Sequence, residues 1–220
     1  MTRPKRLVAV VGTGTDIGKT YVTARLLGAL RAEGTAVAAR KPAQSFDLSD
    51  DPADRDAAVL GAASGEASET VCPSHRWYEV AMAPPIAAAL LGRPPFTVAD
   101  LVEELQWPRR AVDVGFLETA GGLRSPIAAD GDCLALVHGA KPDFVLLVGD
   151  AGLGTINLVR LTIDSLLALG TPIAVVLNRF DESSQLHRGN LSWLRERDGF
   201  HVLRVPGDES ELATLARKAS

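Results

Sequence analysis

Gly12-Thr13-Gly14-Thr15-Asp16-Ile17-Gly18-Lys19-Thr20 decides how this chain is read. It follows the apolar run 7–11 and opens a helical pattern over 19–33. A glycine-rich turn between a strand and a helix aims backbone N–H groups and a helix N-terminus at one point, which suits phosphate oxygens. Gly14, Thr15, Asp16, Ile17 and Gly18 form that cradle. Lys19 adds a mobile positive charge for β- and γ-phosphates, and the Thr20 hydroxyl can ligate magnesium. The strict pattern has glycine at position 13, where this chain has Thr13. The flanking strand and helix supply the context that a bare motif lacks.

Working outward, buried strands are expected at 36–40, 112–117, 144–148 and 172–177, with a shorter one at 201–205. Continuous apolar runs of this kind suit parallel strands covered on both faces. Helical patterns at 85–91, 98–105, 156–169 and 190–197 lie among them. This rhythm predicts an α/β fold: one doubly wound domain over 1–220, a mostly parallel sheet with helices on both faces, of the P-loop NTPase kind. Its ligands should sit outside the carboxyl ends of the strands. The 220 residues fit one core. A net charge of −4 argues against a nucleic-acid scaffold. Cys72 and Cys133 lie far apart and make no metal spacing. No apolar run approaches the roughly 20 residues that cross a bilayer, so no membrane partner and a cytoplasmic location are expected.

Three further positions carry chemistry. Lys41, with Pro42 and Ser45, ends the second strand, where a second cation could neutralise charge during phosphoryl transfer. Glu118 ends another strand, with Gly121-Gly122 behind it, and an acid there can hold a metal near phosphates. Asp150 is its rival; the two glycines favour Glu118. Residues 46–56 read as an acidic, mobile loop, in which Asp56 could be a third metal ligand. Asp50, Asp51 and Asp54 sit close by, and spacing does not choose among them.

Taken together and in this order, these motifs resemble the dethiobiotin synthetase family. Gly12–Thr20 resembles its phosphate loop, Lys41-Pro42 with Ser45 its second lysine motif, and Glu118 with Gly121-Gly122 its acid-glycine motif. Met82-Ala83-Pro84 is similar to its substrate-facing stretch, and Gly152-Leu153-Gly154-Thr155-Ile156-Asn157 to the loop that faces a dimer partner. The resemblance runs to about Gly207. It implies an ATP- and Mg²⁺-dependent cyclo-ligase that joins CO₂ to a small diamine, 7,8-diaminopelargonate, in biotin biosynthesis. It implies Lys19, Lys41 and Thr15 in catalysis, and Thr20, Asp56 and Glu118 at magnesium. Lys41, Ser45, Gly121, Thr155, Ile156 and Asn157 fall to the substrate, the last three across a homodimer interface. Asn178, Pro206 and Gly207 join the loop in holding the nucleotide. Phe46, Pro85, Thr119 and Leu158 depart from the family pattern.

Asn178-Arg179-Phe180-Asp181 also looks like the pattern with which many GTPases read guanine, against the plainer reading of a polar turn after a strand. Rival functions are a partition or division-site ATPase switch, which carries a lysine in place of Gly14, and a paralogous synthetase for a related small molecule. The synthetase half of a cobyrinic-acid-type amidotransferase, or a bare nucleotide-binding module, fits less well.

Overall fold

A computed structural model describes residues 3–218. Six parallel strands form one sheet: β1 (Arg6–Gly12), β2 (Val37–Arg40), β3 (Val114–Glu118), β4 (Phe144–Asp150), β5 (Ile173–Asn178) and β6 (Val202–Val205), in the order β6-β5-β4-β1-β3-β2. The chain leaves β1 for the β2 edge, returns through β3 and crosses to β4. The crevice therefore opens at the carboxyl end of β1, where the strand order reverses.

Side chains alternate across each strand, and two of the cores they feed lie on opposite faces of β1. Val8 and Val10 pack with Val22, Leu26 and Leu30 of α1 (Lys19–Ala32) and with Ala57 and Leu60 of α2 (Asp56–Ser64). Ala9 and Val11 pack on the other face with Val137 and Val159. Burial on both faces is why the strands read as unbroken apolar runs. The expected α/β architecture is what forms.

The helices are partly as expected. Those at Pro84–Leu90 (α3), Val98–Glu103 (α4) and Thr155–Leu166 fall within a few residues of the predicted spans. Cys133–Ala140 (α5) and Glu209–Arg217 were not anticipated. Thr155–Leu166 is thus α6, and Gln185–Ser192 (α7), continued by a π-helical turn over Trp193–Arg197, contains the helix expected at 190–197 and starts five residues earlier. Glu209–Arg217 (α8) covers the first core through Leu212, Ala213 and Ala216. Among the described residues no helix is long and apolar enough to cross a membrane.

Candidate active site

The loop after β1 is held by groups that do not belong to it. Gly18 has φ +89°, and a Cβ there would lie 2.0 Å from Asn178 Nδ2. Only glycine allows both that backbone and that neighbour. Asn178, ending β5, donates from Nδ2 to the Ile17 carbonyl at 2.9 Å, and Arg179 donates to the Asp16 carbonyl at 2.6 Å. From the other side a Cβ on Gly122 would lie 3.4 Å from Gly14 Cα, so the Gly121-Gly122 turn packs against the loop backbone.

Beneath the loop lies a cluster of charge. Lys19 Nζ donates to the Gly14 carbonyl at 3.0 Å. Lys41 Nζ lies 2.6 Å from Asp56 Oδ2 and 2.9 Å from Glu118 Oε1, and Lys41 is 2% exposed and Glu118 0%. Thr20 Oγ1 is 2.6 Å from Asp56 Oδ1 and 2.8 Å from Glu118 Oε1, while Thr23 donates to Glu118 Oε2 at 2.8 Å. A hydroxyl has one proton, so Thr20 satisfies only one of its two carboxylates at a time. Two carboxylates and a hydroxyl converging in this way form a hard oxygen set that fits a magnesium ion. No group of three or more His, Cys, Asp or Glu is gathered among the described residues, so the hydroxyl is needed for a third side-chain ligand.

Environment sets the charges. Burial, then the nearby Lys41, pulls the Lys19 ammonium down to about 8, against the opposing pull of Glu118 and Asp56. For Lys41 burial works downward as well, but Asp56 and Glu118 outweigh it and raise its pKa above the ordinary lysine value. Burial would raise Asp56; the Lys41 ammonium and the Thr20 hydroxyl more than offset it and hold the carboxyl below the usual range.

Lys19, Thr20, Lys41 and Asp56 face a cleft of about 900 Å³, while Glu118 is fully buried and does not line it. Of the residues named from sequence, Thr15, Asp16, Gly18, Lys19, Thr20, Lys41, Ser45, Phe46, Asp56, Met82, Ala83, Pro84, Gly121 and Arg179 line it, whereas Gly14, Ile17 and Asn178 do not. Asp50 and Asp54 reach its wall, but among the loop acids it is Asp56 that pairs with both Thr20 and Lys41. Pro206 and Gly207 follow β6, and Thr155, Ile156 and Asn157 open α6 beyond β4; none of these lines the cleft. Thr155 is buried with no partner for its hydroxyl, and Asn157 is exposed.

A family model described as an AAA domain matches residues 6–207. The ATP-dependent dethiobiotin synthetase BioD of Rhodococcus jostii is 35% identical over 213 residues, spanning 96% of this chain and 90% of that protein. The chain belongs to the dethiobiotin synthetase family, within the AAA-domain proteins. The synthetase of Haloferax mediterranei is 34% identical over 210 residues, covering 94% of this chain and 86% of its own. Among solved structures, a plasmid partition protein from Borrelia burgdorferi superposes with a TM-score of 0.58 at 13% identity, covering 98% of this chain and 97% of that one. The MinC:MinD cell division complex of Aquifex aeolicus gives 0.56 at 14%, covering 96% and 86%. Such low identity shows a shared fold and no more.

Three contributors here lie outside the motifs that carry the family resemblance. Residues 46–56 are not simply a loop: Pro52–Asp54 forms a 3₁₀ turn, and Asp56 is the first residue of α2. Gln44 accepts from the Ala57 N–H at 2.9 Å, which fixes the start of that helix and so aims Asp56. Thr23, one turn after Lys19, orients Glu118. Arg179 ties the phosphate loop to β4 through Asp150 at 3.0 Å. For Thr23 the signal is α1's helical spacing, which puts it on the face of Lys19; Arg179 stands out in sequence only within the base-reading pattern, and Gln44 not at all. Phe46, a departure from the family pattern, is buried beneath the Arg55 guanidinium, 3.9 Å from its ring centre.

Proposed function

We propose that this chain catalyses the ATP-dependent carboxylation and ring closure of 7,8-diaminopelargonate with CO₂, giving dethiobiotin for biotin biosynthesis. One observation carries the reading. Lys19, Thr20, Lys41, Asp56 and Glu118 meet beneath a phosphate-cradling loop, in a chain of the dethiobiotin synthetase family.

The chemistry asks for such a cluster. One amine of the substrate adds to CO₂ and becomes a carbamate, whose oxygen attacks the γ-phosphorus with ADP as leaving group. The second amine then attacks the carbonyl carbon of the carbamic-phosphoric anhydride; phosphate departs and a cyclic urea remains. An anion attacking an anion needs fixed positive charge on both sides of the transferring group. Lys19 serves the nucleotide side, with Thr15 and the loop N–H groups. Lys41 serves the carbamate side, with Ser45 and Gly121. Held protonated by its two carboxylates, Lys41 acts as a donor and not as a base. Thr20, Asp56 and Glu118 would hold magnesium, which when bound neutralises phosphate charge.

The buried hydroxyl of Ser45 has no partner of its own, which suits a residue that faces a ligand. Asn178 uses its amide nitrogen on the loop, leaving Oδ1 to accept from an exocyclic amine such as that of adenine; Pro206 and Gly207 would flank the base. The N-terminus of α6 at Thr155, Ile156 and Asn157 would serve the substrate carboxylate of a second copy. Leu153, 90% exposed, with exposed Leu158 and Leu161, supports a homodimer through that element.

Phosphate release measured with ATP, 7,8-diaminopelargonate and bicarbonate, each omitted in turn, tests the reading. Release and ring product are expected from the complete mixture. Release independent of the diamine overturns the reading. Turnover with a different diamine alone would make the chain a paralogous synthetase, and stimulation by DNA or lipid would point to a switch.

A further inference from the structure

We infer that Arg179 is a positioning residue that sets the phosphate loop for any triphosphate, acting through Asp150 and without reading the base. The inference rests on the nucleotide reading of the cleft above. Arg179 sits at φ +57°, a region that side-chain-bearing residues seldom occupy, and the loop residue it grips, Asp16, sits at φ +55°. Its guanidinium makes two contacts: 2.6 Å to the Asp16 carbonyl and 3.0 Å to Asp150 Oδ2. Asp150 is itself fixed, because its Oδ1 accepts from the Gly152 N–H at 2.8 Å. Neighbouring Asn178 grips the next carbonyl, that of Ile17, at 2.9 Å.

Peptide planarity converts these grips into a function. In a trans peptide the C=O and the following N–H point in opposite directions. Holding the Asp16 and Ile17 carbonyls toward β5 therefore turns the Ile17 and Gly18 N–H groups the other way. Those two groups belong to the turn that leads into α1, where phosphate oxygens are bound by backbone donors. Arg179 thus fixes the direction of one donor and Asn178 that of the next. Arg179 itself lines the cleft, but its guanidinium is engaged by Asp150 and the Asp16 carbonyl, so its role toward the ligand runs through the loop. Because backbone N–H groups see only phosphate, the effect should be blind to the base.

Equilibrium binding of ATP, GTP, CTP and inorganic tripolyphosphate, measured without diamine, tests this in wild type, Arg179→Ala, Arg179→Lys and Asp150→Asn. Arg179→Ala is expected to weaken all four ligands by a similar factor, about tenfold, as for loss of a charge-assisted hydrogen bond. Lysine, which can still donate to the Asp16 carbonyl, should recover part of the loss. Asp150→Asn keeps Arg179 but loosens its anchor, and should weaken the four ligands in the same direction by less. Unchanged affinity in Arg179→Ala overturns the inference, as does a loss confined to one base or absent for tripolyphosphate. If Arg179→Ala does not fold, Asp150→Asn decides between the same outcomes. Failure of wild type to bind any triphosphate would remove the site reading itself, and this inference with it.

Discussion

Glu118 and Asp150 end the two strands that flank β1, and they have opposite surroundings. Glu118 is paired in register with Val10, two residues below the start of the phosphate loop, and is 0% exposed. On the far side Gly12 is paired with Val148, so Asp150 overshoots the loop by two residues, and its side chain is 41% exposed. Four residue levels separate the two acids, about 13 Å along the strand direction. One therefore lies under the loop with Lys41, Thr20 and Thr23 around it, and the other stands beside it in water with Arg179 and a backbone N–H. Residue type and strand-end position are alike in the two. Register decides which one becomes a buried charge.

The comparison would break most visibly in stability. Glu118→Ala leaves the Lys41 ammonium buried with one of its two carboxylates, and removal of one member of a buried pair costs about 3–5 kcal/mol. Asp150→Ala removes a half-exposed pair and should cost about 1 kcal/mol or less. Urea unfolding of the two variants measures both, and equal costs would erase the distinction. Lys19→Ala sharpens it from the functional side. Its amine bonds a carbonyl and not a carboxylate, so stability should change little. Turnover, by contrast, should fall about 10²–10³-fold, the usual effect of losing a preorganised donor to transition-state charge. Full activity in that variant would detach the cluster from the chemistry.

How far the sequence led follows the same division. The phosphate loop, Lys41 and Glu118 were legible because each lies at the end of an apolar run, and chemistry at strand ends is a local pattern. Glu118, and not Asp150, sits with Lys41 and Thr20, although the sequence ground for preferring it, Gly121-Gly122, reflects packing against the loop; the register that separates the acids is invisible in one sequence. Helix α2 was missed because Asp56–Ser64 is mostly small residues, and its start is fixed by Gln44 from outside. Helix α5 was missed because Leu134, Ala135, Leu136 and Val137 form an apolar run without helical periodicity; Asp132 caps its start. Arg179 was seen only as part of a base-reading pattern, since nothing local shows a side chain reaching back to residue 16. Thr155, Ile156 and Asn157, proposed for the substrate across a dimer interface, open a different element from the one that holds the charge and do not line the cleft.

A pH profile probes the buried side of the comparison. Lys19 loses its proton near pH 8 in the free protein because it is buried beside Lys41. Triphosphate binding favours the ammonium, so affinity should be full below pH 8 and weaken as pH rises through it, by about tenfold between pH 7 and 9. Lys19→Arg stays charged throughout and should flatten the profile. A wild-type affinity that is level across this range would show that burial has not displaced the titration of Lys19.

The smallest effect is expected on the exposed side, at Asp181. A guanine reader would keep its carboxylate free to accept from the base. Here Oδ1 already accepts from the Ser183 N–H at 2.8 Å and its hydroxyl at 2.7 Å, closing a turn of the kind aspartate commonly makes. Burial of Phe180 in the second core fixes the backbone between Arg179 and Asp181, which favours the polar-turn reading of this stretch. Asp181→Ala should therefore leave the ratio of ATP to GTP turnover unchanged within about twofold, as for a surface substitution away from any site. A fall in GTP use alone would mean that Asp181 leaves its turn to meet a base, and that the β5 end holds a recognition element as well as a structural one. Equal rates with ATP and GTP in both proteins would instead place recognition in the phosphates, where Lys19 and the loop N–H groups act on every nucleotide alike.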